Sequence, residues 1–298
     1  MRRLGSFLRG LTAASVLVGG TAAHGASPLR ILPAVSPWNL HYADESCLLA
    51  RSFGTGRDLV HLRLEQTAPS NRFSAVLIGQ AFRSVHMTTD LTLTFGPGGG
   101  PDKRERVMTA TSTVGEKLPM LLIEGASLQG ASLPSKATAA DPALPALEGE
   151  AGFSYLTIDR SIGGDLQLDT GEMDKPMAAL RACTDDLVRS WGLDPGVQST
   201  LQRRAAPKGN PGNWFRPEDF PNAFTGDSAV VRFRVVIDAS GAITECAIPS
   251  ATKGEEFERA TCEVLRKRGR FEPALDASGK SVASYYTNTV SWISGVSG

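Results

Sequence analysis

An excess of charge of either sign is the first thing this chain lacks. Lys plus Arg number 31 and Asp plus Glu number 31, so the formal net charge is zero. Nucleic-acid binders carry a basic face or stripe, and there is no surplus here to build one. Long apolar runs are missing too. The best of them, Leu11–Gly20, falls well short of the roughly 20 apolar residues of a spanning helix. His and Cys are scarce, four of each. No two cysteines stand at close ligand spacing, and His41, His61 and His86 are scattered, which argues against zinc. Gly96-Pro97-Gly98-Gly99-Gly100-Pro101 reads as a turn. It lacks the following helix and the Lys-Ser/Thr pair of a phosphate loop.

Catalytic constellations are equally thin. Ser250 and Lys253 have the S-x-x-K spacing of a Ser/Lys acyl enzyme, but that Ser must begin a buried helix, and Ser250 is expected in the connection before one. Ser132 to Ser135-Lys136 is no better. The adjacent acids Asp44-Glu45 and Asp185-Asp186 read as solvated faces or caps, and His61 and His86 as hydrogen-bonded structural residues. No catalytic residue, metal or cofactor is expected. An enzyme housed in the β-rich region is kept as a reading from another class, because a triad is assembled in space rather than in sequence.

Apolar and charged fractions are those of an ordinary globular protein, and the length suits two domains. Met1–Ala26 has the layout of a secretory signal. Arg2, Arg3 and Arg9 precede the short apolar run, and small residues follow at Thr21, Ala22, Ala23, Gly25 and Ala26. Its removal takes three arginines and no acid, leaving the remainder slightly acidic. A periplasmic location follows from this reading; retention of the segment as an inner-membrane anchor is the alternative. Export places Cys47, Cys183, Cys246 and Cys262 in an oxidising compartment. Four cysteines allow three pairings, and sequence alone does not choose among them. Domain logic favours Cys246 with Cys262 and Cys47 with Cys183.

Residues 28–193 read as a mostly antiparallel β domain closed by one helix. Strand candidates are Trp38–Tyr42, Cys47–Phe53, Leu59–Gln66, Phe73–Gly79, Leu91–Phe95, Arg106–Thr113 and Leu118–Ile123, with a further hairpin from Phe153–Asp159 and Leu166–Asp169. Lys136–Pro145, rich in Ala and Pro, reads as an exposed connection. Met177, Leu180, Cys183, Thr184, Leu187 and Trp191 then fall at helical spacing, a core stripe ending at Gly192. Residues 194–212 are a Pro- and Gly-rich linker candidate, and 213–298 form the last domain.

In that last domain Val231, Phe233, Val235 and Ile237 alternate with Val230, Arg232, Arg234 and Val236, the pattern of a strand with one buried face. Ala239-Ser240-Gly241 turns the chain into a second strand, Ala242–Ile248. Phe257, Ala260, Thr261, Val264 and Leu265 share one helix face. Acids in the first turn and Arg266, Lys267 and Arg268 in the last complement the dipole, and Gly269 ends the helix. Ser284–Ile293 returns as a strand. The fold class is α+β, with a small ββαβ unit at the end.

These residues resemble the C-terminal domain of the TonB family of energy transducers. The matching pieces are the hairpin ending in Ile237-Asp238 with Gly241 and Ile243, the helix with its basic turn, Arg270-Phe271-Glu272-Pro273-Ala274, the turn at Gly279 and a final strand ending in Trp292. Asp219-Phe220-Pro221 matches the aromatic-Pro motif leading into the domain. In that family the last strand captures an extended segment, the TonB box, of an outer-membrane receptor. The resemblance implies peptide contact at Tyr285, Thr287, Asn288 and Thr289; a competing core reading of the same strand packs Trp292 and one of the tyrosines under the helix. It also implies that Arg266, Lys267, Arg268 and Arg270 face acidic receptor loops, although the helix dipole already accounts for a basic end.

Two departures matter. The family's energised members keep an inner-membrane helix, and its histidine has no match, since His24 follows the apolar run; the long Pro-rich reach is absent as well. The leading expectation is a periplasmic, non-catalytic TonB-like protein that binds an extended segment of an envelope partner. The alternative is an anchored transducer for transport across the outer membrane.

Overall fold

The computed structural model describes residues 29–104, 107–112, 115–130, 152–160, 164–221, 228–252 and 254–293. The segment Met1–Ala26 and the connection Lys136–Pro145 lie outside them. Alternation along the first half does produce short strands. They are β1 (Arg30–Leu32), β2 (Asn39–Tyr42), β3 (Cys47–Phe53), β4 (Val60–Gln66), β5 (Phe73–Ile78), β6 (Leu91–Gly96), β7 (Asp102–Arg104), β8 (Met108–Thr111), β9 (Pro119–Ala126), β10 (Tyr155–Arg160) and β11 (Leu166–Leu168). β1 and β7 were not anticipated. Each has three residues, too few to show a period.

These strands form two sheets, in the orders β2-β3-β4-β5-β9-β8 and β1-β11-β10-β6-β7. All pairs are antiparallel except β1 with β11. Leu49, Phe53, Leu62, Leu64, Ala75 and Leu77 of the first sheet share one apolar cluster with Leu91, Leu93, Phe95, Leu156 and Ile158 of the second. Phe73 meets Phe95 edge-on across the gap, ring centroids 5.8 Å apart.

Helix α1 (Asp174–Ser190) closes this core with Met177, Leu180, Cys183, Thr184, Leu187 and Val188 buried. A disulfide joins Cys183 to Cys47 at the start of β3, with Cα atoms 6.0 Å apart. The segment read as a linker does not run free. After α2 (Pro195–Ser199), β12 (Ala206–Pro207) pairs with β15 (Phe271–Glu272), and Arg203 bridges to Leu275.

The C-terminal domain follows the expected ββαβ order. β13 (Ala229–Ile237) lies between β14 (Ile243–Ala251) and β18 (Ser284–Trp292), and α3 (Glu255–Arg268) packs on one face. Two further strands, β16 (Ala274–Leu275) and β17 (Ser281–Val282), make a small hairpin before β18. Phe257 of α3 is fully buried beside Val231, Phe233, Val235 and Leu265. Truncating such a side chain costs about 3–5 kcal/mol. A second disulfide ties Cys246 on β14 to Cys262 on α3.

Two glycines matter for different reasons. Gly241 has φ +89°, which an L side chain rarely adopts, and it turns β13 into β14. Gly269 ends α3 at φ −59°, so left-handed freedom is not its role. A Cβ there would lie 2.5 Å from the Leu265 carbonyl oxygen and 2.7 Å from Ile243 Cδ1. Close packing selects glycine at that position.

The same four residues make two turns. Asp238-Ala239-Ser240-Gly241 and Asp276-Ala277-Ser278-Gly279 are identical in sequence. In each, the aspartate carboxylate accepts from the serine N–H and hydroxyl and from the N–H four residues on. Each backbone also closes alike: Gly241 N–H donates to Asp238 O, and Gly279 N–H to Asp276 O.

One expectation needs correcting. Alternation along β13 predicts one buried face and puts Arg232, Arg234 and Val236 on the other. Arg234 is instead fully buried, and Val236 is buried with the β-rich core. α3 covers one face of the C-terminal sheet, and the β-rich domain covers the other. Period-2 alternation reports one apolar face and is silent about a polar face docked on another domain.

Candidate functional site

The candidate site is the outer edge of β18, and its geometry follows from the ladder. β18 pairs with β13 in register from Ala229↔Trp292 to Ile237↔Ser284. Val230 turns its backbone toward the β14 side: its carbonyl accepts from Thr252 N–H, and its own N–H donates to Thr252 Oγ1. Antiparallel alternation therefore sends the backbone groups of Val231, Phe233, Val235 and Ile237 to β18, opposite Val290, Asn288, Tyr286 and Ser284. The N–H and C=O groups of Tyr285, Thr287, Thr289 and Ser291 point the other way. Among the described residues, no strand lies on that side.

Other edges are blunted. β14 is as long as β18 but carries Pro249, and its register with β13 shifts twice. β1, β2, β7 and β8 have four residues or fewer. β18 combines nine residues, no proline and an unbroken register.

The structure separates the roles of the four residues singled out in sequence. Tyr285 turns its ring toward the β-rich domain, 5.1 Å from Trp191 and buried, so only its backbone faces the edge. Thr287 is half-buried and Thr289 exposed, both on that same face of the strand. Asn288 lies on the α3 face. Its Nδ2 donates to the Tyr286 hydroxyl at 2.7 Å, while its Oδ1 accepts from Thr289 N–H at 2.8 Å. The Asn288 side chain thus occupies one of the outward donors of the edge. Burial holds the Tyr286 phenol above its ordinary pKa, against the opposing effect of the Asn288 bond. Tyr286 and Trp292 pack under α3, where Trp292 Nε1 donates to Thr261 Oγ1 at 3.0 Å.

A cleft of about 270 Å³ runs along this edge. Tyr285 to Thr289, five successive residues of β18, form one wall. The connection between β4 and β5 supplies the opposite wall through Thr67, Ala68 and Ser70. Arg204 lies at the cleft with its guanidinium over the Tyr285 ring, 5.8 Å from the centroid.

The β-rich domain is held against the sheet by charges that the sequence reading missed. Arg234 donates to Glu45 through Nε at 3.2 Å and Nη2 at 3.0 Å, and to Glu245 at 2.7 Å. Its guanidinium carbon stacks 4.3 Å from the Trp191 ring centroid. Glu45, expected as a solvated acid or cap, is therefore a partner of a buried arginine. Arg232 pairs with Glu124 and reaches Ser74 Oγ at 3.1 Å. No short-range pattern announces contacts between residues 189 positions apart.

Other residues fall into structural roles. His61 Nδ1 shares a hydrogen bond with Ser52 Oγ at 2.8 Å, and burial, then Arg63, lowers its pKa. Ser250 lies inside β14 and not at a helix start, while Lys253 is outside the described residues. Arg268 of the basic turn is occupied by Asp219 and the Trp214 carbonyl. Phe220 of the aromatic-Pro motif stacks edge-on against Phe257 and Trp292. Among the described residues, no group of His, Cys, Asp and Glu is placed to hold a metal ion, and no helix is long and apolar enough to cross a membrane.

Residues 224–293 match the family described as the Gram-negative bacterial TonB protein C-terminal. The segment running from β13 to β18 is a domain of that family. No curated protein and no solved structure matches the chain.

Proposed function

We propose that this chain is a periplasmic, non-catalytic TonB-like protein that binds an extended segment of an envelope partner, such as an outer-membrane receptor, by adding it as a strand to β18. One observation carries the reading. The longest unbroken strand edge in the described residues belongs to a TonB C-terminal domain, and the backbone groups of Tyr285, Thr287 and Ser291 face outward there without a partner strand. Main-chain pairing provides affinity in strand addition, and alternate side chains provide selectivity. Thr287 and Thr289 are the side chains on the cleft face, Asn288 guards the edge, and Tyr285 contributes backbone only. The division into residues 28–193, 194–212 and 213–298 belongs to this proposal, with the middle segment folded along the C-terminal domain.

The test is capture of a receptor's extended N-terminal segment by wild type and by Thr287→Pro. The Thr287 N–H points away from β13, so proline removes a donor for the guest and leaves the β13–β18 ladder its bonds. Loss of capture with an unchanged melting profile is expected. Equal capture by both proteins would overturn the reading.

A further inference from the structure

The cleft beside β18 has two walls from two different domains, and only one belongs to the TonB C-terminal domain. Resting on the strand-capture reading, we propose that the β4–β5 connection is a second jaw. It restricts guests to extended segments with short side chains where they pass Thr287, and it favours a carboxylate where they pass Tyr285.

The size limit follows from the space. Small-molecule pockets run from about 300 to 1,000 Å³. The slot, at about 270 Å³, is spread along Tyr285–Thr289. An added strand lies about 4.8 Å from its neighbour and advances about 3.4 Å per residue. Such a strand takes up the slot with backbone and short side chains, which disfavours a Leu or Phe turned toward Thr67 and Ala68.

The charge preference follows from Arg204. Its Nε is buried without a hydrogen-bond partner among the described residues, and its Nη1 has only a 3.5 Å contact with the Tyr285 hydroxyl. Among the described residues no salt bridge neutralises it. Of the other arginines on the cleft, Arg232 is already paired with Glu124. A guest carboxylate beside Tyr285 completes Arg204, and charge-assisted bonds of this kind are the stronger class.

The experiment uses the isotope-labelled full chain and three synthetic seven-residue peptides, capped at both ends. One alternates Ala and Thr with a single Asp near one end, the second replaces that Asp by Asn, and the third replaces the central Ala by Leu. Amide shifts at Tyr285, Thr287 and Thr289 report binding. The Asp peptide is expected to shift all three, the Asn peptide to bind roughly tenfold more weakly, and the Leu peptide to leave Thr287 unmoved. Thr67→Trp, which fills the slot, should abolish the shifts, and Arg204→Gln should erase the Asp preference while retaining weak binding. Equal binding of all three peptides, or normal binding by Thr67→Trp, overturns the jaw. No shift by any peptide at millimolar concentration overturns it as well. If Thr287→Pro leaves receptor-segment capture intact, strand addition itself fails. If that variant loses capture while Thr67→Trp keeps it, strand addition stands and the jaw falls. A concentration-dependent dimer that closes the edge without peptide would assign the slot to a second copy and overturn the proposal.

Discussion

Arg234 lies beneath Trp191, its guanidinium carbon 4.3 Å from the ring centroid, with Glu45 and Glu245 on its nitrogens. One side chain thus joins the β2–β3 turn, α1's C-terminal cap and the middle strand of the C-terminal sheet. Removing one member of a buried pair typically costs about 3–5 kcal/mol, because the other charge is stranded. Glu45 and Glu245 keep partial contact with water, which places this case at the lower end.

Arg234→Met should lower unfolding free energy by about 3 kcal/mol and split a single thermal transition into two as the domains separate. Differential scanning calorimetry checks this. One unsplit transition at the wild-type temperature would show that Arg234 does not hold the domains together.

Loss of the Cys47–Cys183 bond should weaken the β-rich domain more than loss of Cys246–Cys262 weakens its neighbour. The first closes a sequence separation of 136 residues and the second one of 16. Chain-entropy arguments give about 3 kcal/mol for a 15-residue loop and about 4.7 for 100 residues. Urea melts of the two paired Cys→Ser variants compare them, and non-reducing peptide mapping checks the connectivity.

Asn288→Ala should release the Thr289 N–H and strengthen capture of an extended segment. The internal bond it removes is worth about 0.5–1.5 kcal/mol net. Titration calorimetry with the receptor segment measures the gain. Weaker binding would mean that Asn288 is a contact and not a guard.

Acid should loosen the C-terminal domain through its twin turns. Hydrogen bonds from the serine hydroxyls, then from backbone N–H groups, hold Asp238 and Asp276 below the ordinary value of 3.8. A carboxylate whose folded pKa is depressed stabilises the fold above its unfolded pKa. That contribution is lost as pH falls from near 4 through the folded value. Melting curves between pH 7 and pH 2.5 should show a steeper acid loss for wild type than for the Asp238→Asn/Asp276→Asn double variant.

N-terminal sequencing of the exported protein tests the location. A chain starting shortly after Ala26 agrees with a released periplasmic protein. An intact Met1 end would support the anchored alternative.

Much of the architecture was legible because local periods carry it. β3 is bounded as its alternation indicates, and α3 begins at its acids and stops at Gly269. The site was legible only in part. Alternation gives the two faces of β18, but which backbone groups point outward depends on its register with β13. The cleft depends on where the Thr67–Ser70 stretch lies in space. Arg234 and Glu45 escaped for the same reason, since a charge on an alternating strand looks solvated until a distant acid is brought to it. The repeated Asp-Ala-Ser-Gly was readable and its significance was missed; two identical tetrapeptides ahead of strands are a signal of matched turns.

The unbroken register between β13 and β18 also has a mechanical meaning. A pull directed along β18 loads the whole row of cross-links at once, whereas a pull across it would open one rung at a time. From β13 the load passes through Arg234 into Glu45 and Trp191, and the β-rich half shares the strain. In this molecule the edge strand and its neighbour are braced from behind by a second domain.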